Sequence, residues 1–399
     1  MSRRLFNLLV WVLVMGLLSG CWDRREIEQR SSVFAMAIDE HPKGVEVSVQ
    51  IPIPIMIVGS GGGGGGQGGQ GAVHNFSAVG KTVYEALENL QNQTNHDLFL
   101  GHTRLLFLSE KVVRNKGMKI LDALRRHPEI RRQIWPLIVD GPAKDALMVK
   151  LRLAEIPTEY ILDFVENGSS HGRMADTTLG QWFINQSDPT RSAYINYLHV
   201  EPGMGGGQGD SVGQGNSDGQ GGNADGKVFW KGLAVMKGDH MVGSLSREES
   251  NPILELVEEK AGYPVRLKCS DGKGMITFEP KVVDPSVSVS HQGKKVKIRV
   301  KVEVWGGVVE NTCSKLDLSQ EQVLNKVEKW LEQAYEKQFR KTLHLAQKKF
   351  RTDVFQFGSF LHAYHPHLWN RIDWERDFPK ADVKADYQVT INTLSLEAH

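Results

Sequence analysis

Alternation is the clearest signal near the start of the chain. Val45, Val47, Val49 and Ile51 are separated by polar residues, which predicts a half-buried strand within 45–57. Val33 to Ile38 predicts a second strand, and Pro52 and Pro54 place the end of the longer one at a sheet edge. Two unbroken apolar runs, "RLLFLS" at 104–109 and "WPLIV" at 135–139, predict short strands, and 193–200 predicts another. Helical spacing occurs between them. Lys81 to Gln93 sets Val83, Ala86, Leu87 and Leu90 on one face, and 118–127, 143–150, 157–166 and 177–185 also predict helices.

The second half opens with "VFWKGLAVMKGDHMVGSLS" at 228–246. Two apolar runs flank Lys237-Gly238-Asp239, the pattern of a β-hairpin. A helix near 250–260 follows, then strands near 264–269, 274–283 and 294–305. Residues 319–350 predict the longest helix, with Ser319 and Gln322 as a capping box. Its expected core stripe is Val323, Val327, Trp330, Ala334, Leu343, Ala346 and Phe350. A shorter helix near 353–363 and a strand at 385–396 close the chain. Strands with packed helices and no regular βαβ repeat predict an α+β fold with mixed, largely antiparallel sheets.

Glycine punctuates this pattern. Many of the 41 glycines sit at 59–71 and 203–226, tracts that cannot bury a core. The first reads as a loop. The second is a linker between a block at 21–202 and a block at 227–399, or an insertion in a hairpin. A length of 399 residues suits two or three domains. The net charge of +1 gives no bulk attraction to nucleic acid. Three cysteines, Cys21, Cys269 and Cys313, are too few for a disulfide scaffold or a Cys-rich zinc module. Cys269 and Cys313 can pair in an oxidising exterior, but spacing along the chain does not give their separation.

The N-terminus changes the picture most. Two arginines precede an apolar run from Leu5 to Leu18, the length of a secretory signal and short for a membrane span of roughly 20 residues. No later run reaches that length, so no span is expected beyond it. The run ends in Leu18-Ser19-Gly20-Cys21, a bacterial lipobox. Small residues admit the Gly20–Cys21 bond to a peptidase, and the Cys21 thiol takes up a diacylglyceryl group. Two acyl chains give a stable anchor, at about 0.8 kcal/mol per buried CH₂. Residues 1–20 are therefore expected to be removed, leaving Cys21 as an acylated N-terminus outside the cytoplasmic membrane.

Motifs that carry chemistry elsewhere are weak here. Gly80-Lys81-Thr82 resembles the end of a P-loop, but Asn75 stands where the motif needs glycine, and Thr82 fits a helix start. A G-x-S-x-G match at Ser211 falls inside low-complexity sequence. His362, His365 and His367 have no cysteine or HExxH partner, which favours a polar helix end over a metal site. Lys295, Lys297, Arg299 and Lys301 alternate with apolar residues. They form a solvated face guarding a sheet edge, or a contact for anionic lipid or an acidic partner. "LRRHPEIRR" at 124–132 has the same two readings. No catalytic constellation, cofactor site or metal site is expected.

Taken in order, "GCWDRREIE", "KTVYEALENL", "FLGHTRLLFLSE", "WKGLAVMKGDHMVGSLS" and "DVFQFGSFLHAYHPHLWNRIDWERDF" resemble the Ger(x)C family of spore germination lipoproteins. Met236 and Gln356 depart from aromatic residues common in that pattern, and the glycine tracts are unusual. The resemblance implies the C subunit of a nutrient germinant receptor, held by Cys21 in the spore inner membrane beside two integral membrane subunits. It also implies three structural domains, with a subdivision near 262, and no enzymatic activity. A solute-binding lipoprotein of a transporter is the alternative, and it requires two similar α/β lobes around a cleft.

Overall fold

The computed structural model describes residues 30–53, 73–151, 156–188, 190–203, 225–269, 272–293, 295–314 and 316–394, with isolated positions 3, 4 and 11. Ten strands come first: β1 (Arg30–Ser32), β2 (Ala35–His41), β3 (Gly44–Pro52), β4 (Val73–Gly80), β5 (Asp97–Phe99), β6 (Leu105–Ser109), β7 (Trp135–Val139), β8 (Tyr194–Glu201), β9 (Lys227–Lys237) and β10 (His240–Ser246). Four more follow: β11 (Val265–Lys268), β12 (Met275–Gln292), β13 (Lys295–Asn311) and β14 (Asp382–Leu394). The longer helices are α1 (Val83–Gln91), α2 (Glu110–Asn115), α3 (Pro157–Ser170), α4 (Leu179–Ser187), α5 (Arg247–Leu256), α6 (Glu321–His344) and α7 (Phe357–Tyr364).

An eight-stranded mixed sheet runs in the order β10-β9-β8-β7-β6-β2-β3-β4, and β2, β6, β7 and β8 within it are parallel. Parallel strands are buried on both faces, which is why β6 and β7 read as unbroken apolar runs. Alternate residues enter opposite cores. Ala35, Ala37, Leu105, Phe107, Leu137 and Val139 join one cluster with Ile161 and Val165 of α3. Met36, Ile38, Leu106, Leu108 and Ile138 join the other with Val83, Ala86 and Leu90 of α1, and with Trp182 of α4. A four-stranded sheet, β11-β12-β13-β14, packs α6 against β14. The α+β fold with mixed sheets is thus established. Residues 203–226 join β8 to β9, which pair antiparallel from Glu201↔Lys227 inward. The strands on either side of the tract are therefore neighbours in one sheet. The change of sheet falls between Ser246 and Val265.

Several local expectations are revised. Strand β4 was not foreseen, because an edge strand with few buried residues leaves little apolar signal. The predicted helix at 143–150 shrinks to Asp145–Met148, and 118–127 splits into a 3₁₀ turn and the short helix Asp122–Arg126. Helix α6 begins after Gln320, and no side chain caps it. Asp317 takes Ser319 N and Oγ at 3.0 and 2.6 Å, so Ser319 serves a turn before the helix. The observed capping box is at Ser246 and Glu249 of α5. The α6 stripe runs through Val327, Leu331, Tyr335, Phe339 and Leu343, while Trp330 and Ala334 sit at its margin. Strand β13 lies between β12 and β14, so its basic row guards no edge. Acidic groups answer part of that row: Arg299 pairs with Asp382 at 2.9 Å, and Lys301 with Glu303 at 2.5 Å.

Cys269 and Cys313 form a disulfide with Cα atoms 5.7 Å apart, clipping the ends of the β12–β13 hairpin. Closing a loop of this size restricts the unfolded chain and is worth about 2–4 kcal/mol. The double variant Cys269→Ser, Cys313→Ser is expected to lose that stability in chemical denaturation under non-reducing conditions. An unchanged midpoint would show that the clip contributes nothing.

Candidate functional site

Cys21 and Gly20, the expected attachment and cleavage positions, lie outside the described residues, as does Ser211. Among the described residues no helix is long and apolar enough to cross a membrane. Lys81 and Thr82 are engaged in a helix start. Thr82 Oγ1 accepts from Glu85 N at 3.2 Å, and Lys81 N donates to the Glu85 carboxylate at 2.8 Å. His362 packs edge-on against Trp369, 5.6 Å between centroids. No three His, Cys, Asp or Glu side chains gather as a metal site among the described residues.

A buried polar construction lies where the segment after α6 meets the large sheet. The last turn of that helical region, Leu345–Phe350, is a π-helix. Such turns insert an extra residue and redirect the chain, often near functional sites. Arg351 and Gln356 then adopt left-handed backbone, at φ 53° and 56°, a conformation costly for residues with a Cβ. Between them stands Asp353. Its Oδ2 accepts from Gly358 N at 2.7 Å and from Trp374 Nε1 at 2.9 Å. Burial pushes this carboxyl up to about 6, against the opposing pull of those donors. Its Oδ1 has no partner among the described residues.

Close packing fixes the junction from both sides. A Cβ on Gly358 would meet Thr190 O at 2.7 Å and Trp374 Cδ1 at 2.8 Å, so only glycine admits this approach. Thr190 Oγ1 bonds Ser359 Oγ at 3.0 Å, and Ser192 Oγ bonds Thr352 Oγ1 at 3.0 Å. A Cβ on Gly243 of β10 would lie 2.3 Å from the Phe350 ring. A cavity of about 460 Å³ opens here, lined in part by Arg191, Lys237, Arg351, Asp353 and Trp374. Through its Oδ2 the Asp353 carboxyl orients Gly358 and Trp374.

A second polar knot joins α5 to α6 and β14. Glu255 is fully buried, and Tyr387 donates to its Oε2 at 2.8 Å. Tyr335 stacks on Tyr387, 5.2 Å between centroids. Desolvation raises the Glu255 carboxyl to about 8, so it carries a proton at neutral pH. Sequence reading missed both acids. The signal for Glu255 was a lone acid in the apolar run "PILELV". For Asp353 it was the pairing of Asp353 with Trp374, 21 residues further on and invisible to local periodicity.

With this geometry in view, the motifs quoted above acquire places. "WKGLAVMKGDHMVGSLS" supplies the last hairpin of the large sheet, and "DVFQFGSF" with Trp374 supplies the junction packed on it. Two family models match in that same order: spore germination protein N-terminal domain over residues 23–200, and spore germination B3/GerAC-like C-terminal over residues 231–394. The chain belongs to the Ger(x)C family of spore germination proteins. Among curated relatives it is similar to spore germination protein YndF of Bacillus subtilis (strain 168), 27% identical over 98% of this chain and 97% of that one. It is also 26% identical to spore germination protein KC of the same strain, over 97% of this chain and 95% of that one. The crystal structure of the GerBC protein shares the fold, with TM-score 0.56 and 18% identity over 90% of this chain and 97% of that one.

Two outcomes are expected. Asp353→Ala orphans two buried donors and should cost about 2–4 kcal/mol in denaturant unfolding. A loss under 0.5 kcal/mol, roughly the effect of a surface change, would refute the positioning role. Glu255 binds a proton in the folded state that the unfolded chain releases above its ordinary value of 4.5. Its stabilising contribution is therefore complete below that value and lost as pH rises toward about 8. Glu255→Gln should flatten the fall in melting temperature across this window, and identical slopes would overturn the assignment.

Proposed function

We propose that this chain is the C subunit of a spore nutrient germinant receptor, anchored through a diacylglyceryl group on Cys21. It scaffolds or couples signals by contact with two integral membrane subunits, on the external face of the spore inner membrane. The observation that carries the reading is family membership along nearly the whole chain, in the expected motif order. The lipobox at 18–21 supports the anchor. The Cys269–Cys313 disulfide fits an oxidising compartment outside the cytoplasm. Anchoring confines the subunit to two dimensions and raises its effective concentration near its partners. The transporter alternative is not favoured, because one eight-stranded and one four-stranded sheet do not make two similar lobes.

Cys21→Ala should leave the folded domains intact, release the protein from the membrane fraction and slow germination. Affinity capture of the unaltered protein from spore membranes should bring down two integral subunits. Unchanged fractionation and germination in the variant, or capture without integral partners, would refute the reading.

A further inference from the structure

The N-terminal edge of the structure carries a feature that the anchor alone does not explain. The first described strand, β1, pairs in parallel with β5, Arg30 opposite Asp97. The Arg30 guanidinium lies 4.9 Å over the Phe99 ring. Ser32 Oγ and His102 Nδ1 are 3.3 Å apart, which ties the incoming chain to the loop after β5. Directly beside it opens a cavity of about 430 Å³, lined in part by Ser32, His102, Arg104 and Arg131.

The charges at this opening are cationic and partly unspent. Arg131 and Arg132 are exposed and have no side-chain partner among the described residues. Arg125 lies 5.4 Å over Phe183. The opposing acids are engaged. Glu166 pairs with Arg104 at 2.8 Å, and Glu129 accepts from Leu100 N at 2.9 Å. Arg131 of the basic run at 124–132 is thereby set beside the place where the chain enters the fold, with Arg132 next to it in the chain.

Tether length makes that placement matter. Arg30 stands nine positions after Cys21, and a fully extended chain covers at most about 3.3–3.6 Å per residue, so about 30 Å in all. If Cys21 is acylated, the entry point cannot stand further from the headgroups than this. The surface around it is then the part of the molecule that the tether keeps within that reach of the bilayer.

We propose that the face formed by Arg30, His102, Arg104, Arg131 and Arg132 is a docking surface for the headgroups of an anionic lipid bilayer, which orients the anchored protein. This rests on the anchor reading for its geometry, but the contact itself is independent of acylation. Each Lys or Arg near an anionic surface is worth about a fivefold gain in binding.

The test uses the full mature chain from position 21 with Cys21→Ser, which removes the acyl chains and leaves everything else. Co-sedimentation is measured with vesicles of phosphatidylcholine alone and with vesicles containing phosphatidylglycerol, at low and high salt. Binding is expected only to the anionic vesicles, and it should weaken as salt rises. The double variant Arg131→Glu, Arg132→Glu should bind at least about 25-fold more weakly, with an unchanged circular dichroism spectrum. The equal charge change Lys295→Glu, Lys297→Glu on β13 should leave binding intact. Equal binding to neutral vesicles, or equal loss in both double variants, overturns the proposal. So does patch-dependent binding to polyglutamate with none to lipid, which would assign the face to an acidic protein. Failure here leaves Cys21 anchoring untouched, and failure of acylation leaves this measurement intact.

Discussion

A backbone amide in the middle of β6 has no water on either side. Leu105 and Phe107 point into one core, Leu106 and Leu108 into the other, and neighbouring parallel strands take the hydrogen bonds. That constraint demands a layer on each face. Helices α1, α2 and α4 cover one side. Helix α3, helix α5 and the second sheet share the other. The two sheets are thereby joined through one continuous apolar cluster.

Apolar burial alone does not set the angle between such layers. Directed polar contacts add to it. Glu255 aims at Tyr387 from across the chain, and Asp353 holds Gly358 and Trp374 in one orientation. Each desolvated carboxyl costs stability, and good donors offset that cost only when the geometry is met. The left-handed backbone at Arg351 and Gln356 persists for the same reason, since the surrounding contacts over-determine it.

Much of this was legible in the sequence. "WPLIV" reads as β7 because a strand buried twice needs five apolar residues in a row. The hairpin at 228–246 is visible because Gly238, at φ 60°, marks the turn between two apolar runs. What stayed hidden depends on partners far along the chain. Nothing local says that β6 pairs with β2 rather than with β5. Ser319 carries a cap signature, yet Asp317 takes its hydroxyl first. The α6 stripe shifted because Tyr335 and Phe339 are buried by β14 and by Phe355, while Trp330 keeps to the margin. Cys269 and Cys313 are unremarkable as single residues and acquire meaning only when the hairpin brings their ends together. The proposed anchor shows the opposite balance, since the case for Cys21 rests on the residues at 18–21 alone.

The connection between Glu201 and Lys227 has a further consequence. These two residues face each other in the sheet, so the chain leaves and re-enters at one point. The register inward from that pair is set by β8 and β9, whatever joins them. The closure cost of an unstructured loop grows slowly with length, by about 0.6 kcal/mol per doubling. Residues added between such a pair therefore need not shift the strands on either side. Pro52 opposite Val73 repeats the arrangement for β3 and β4, so the large sheet has two places where chain length is decoupled from register.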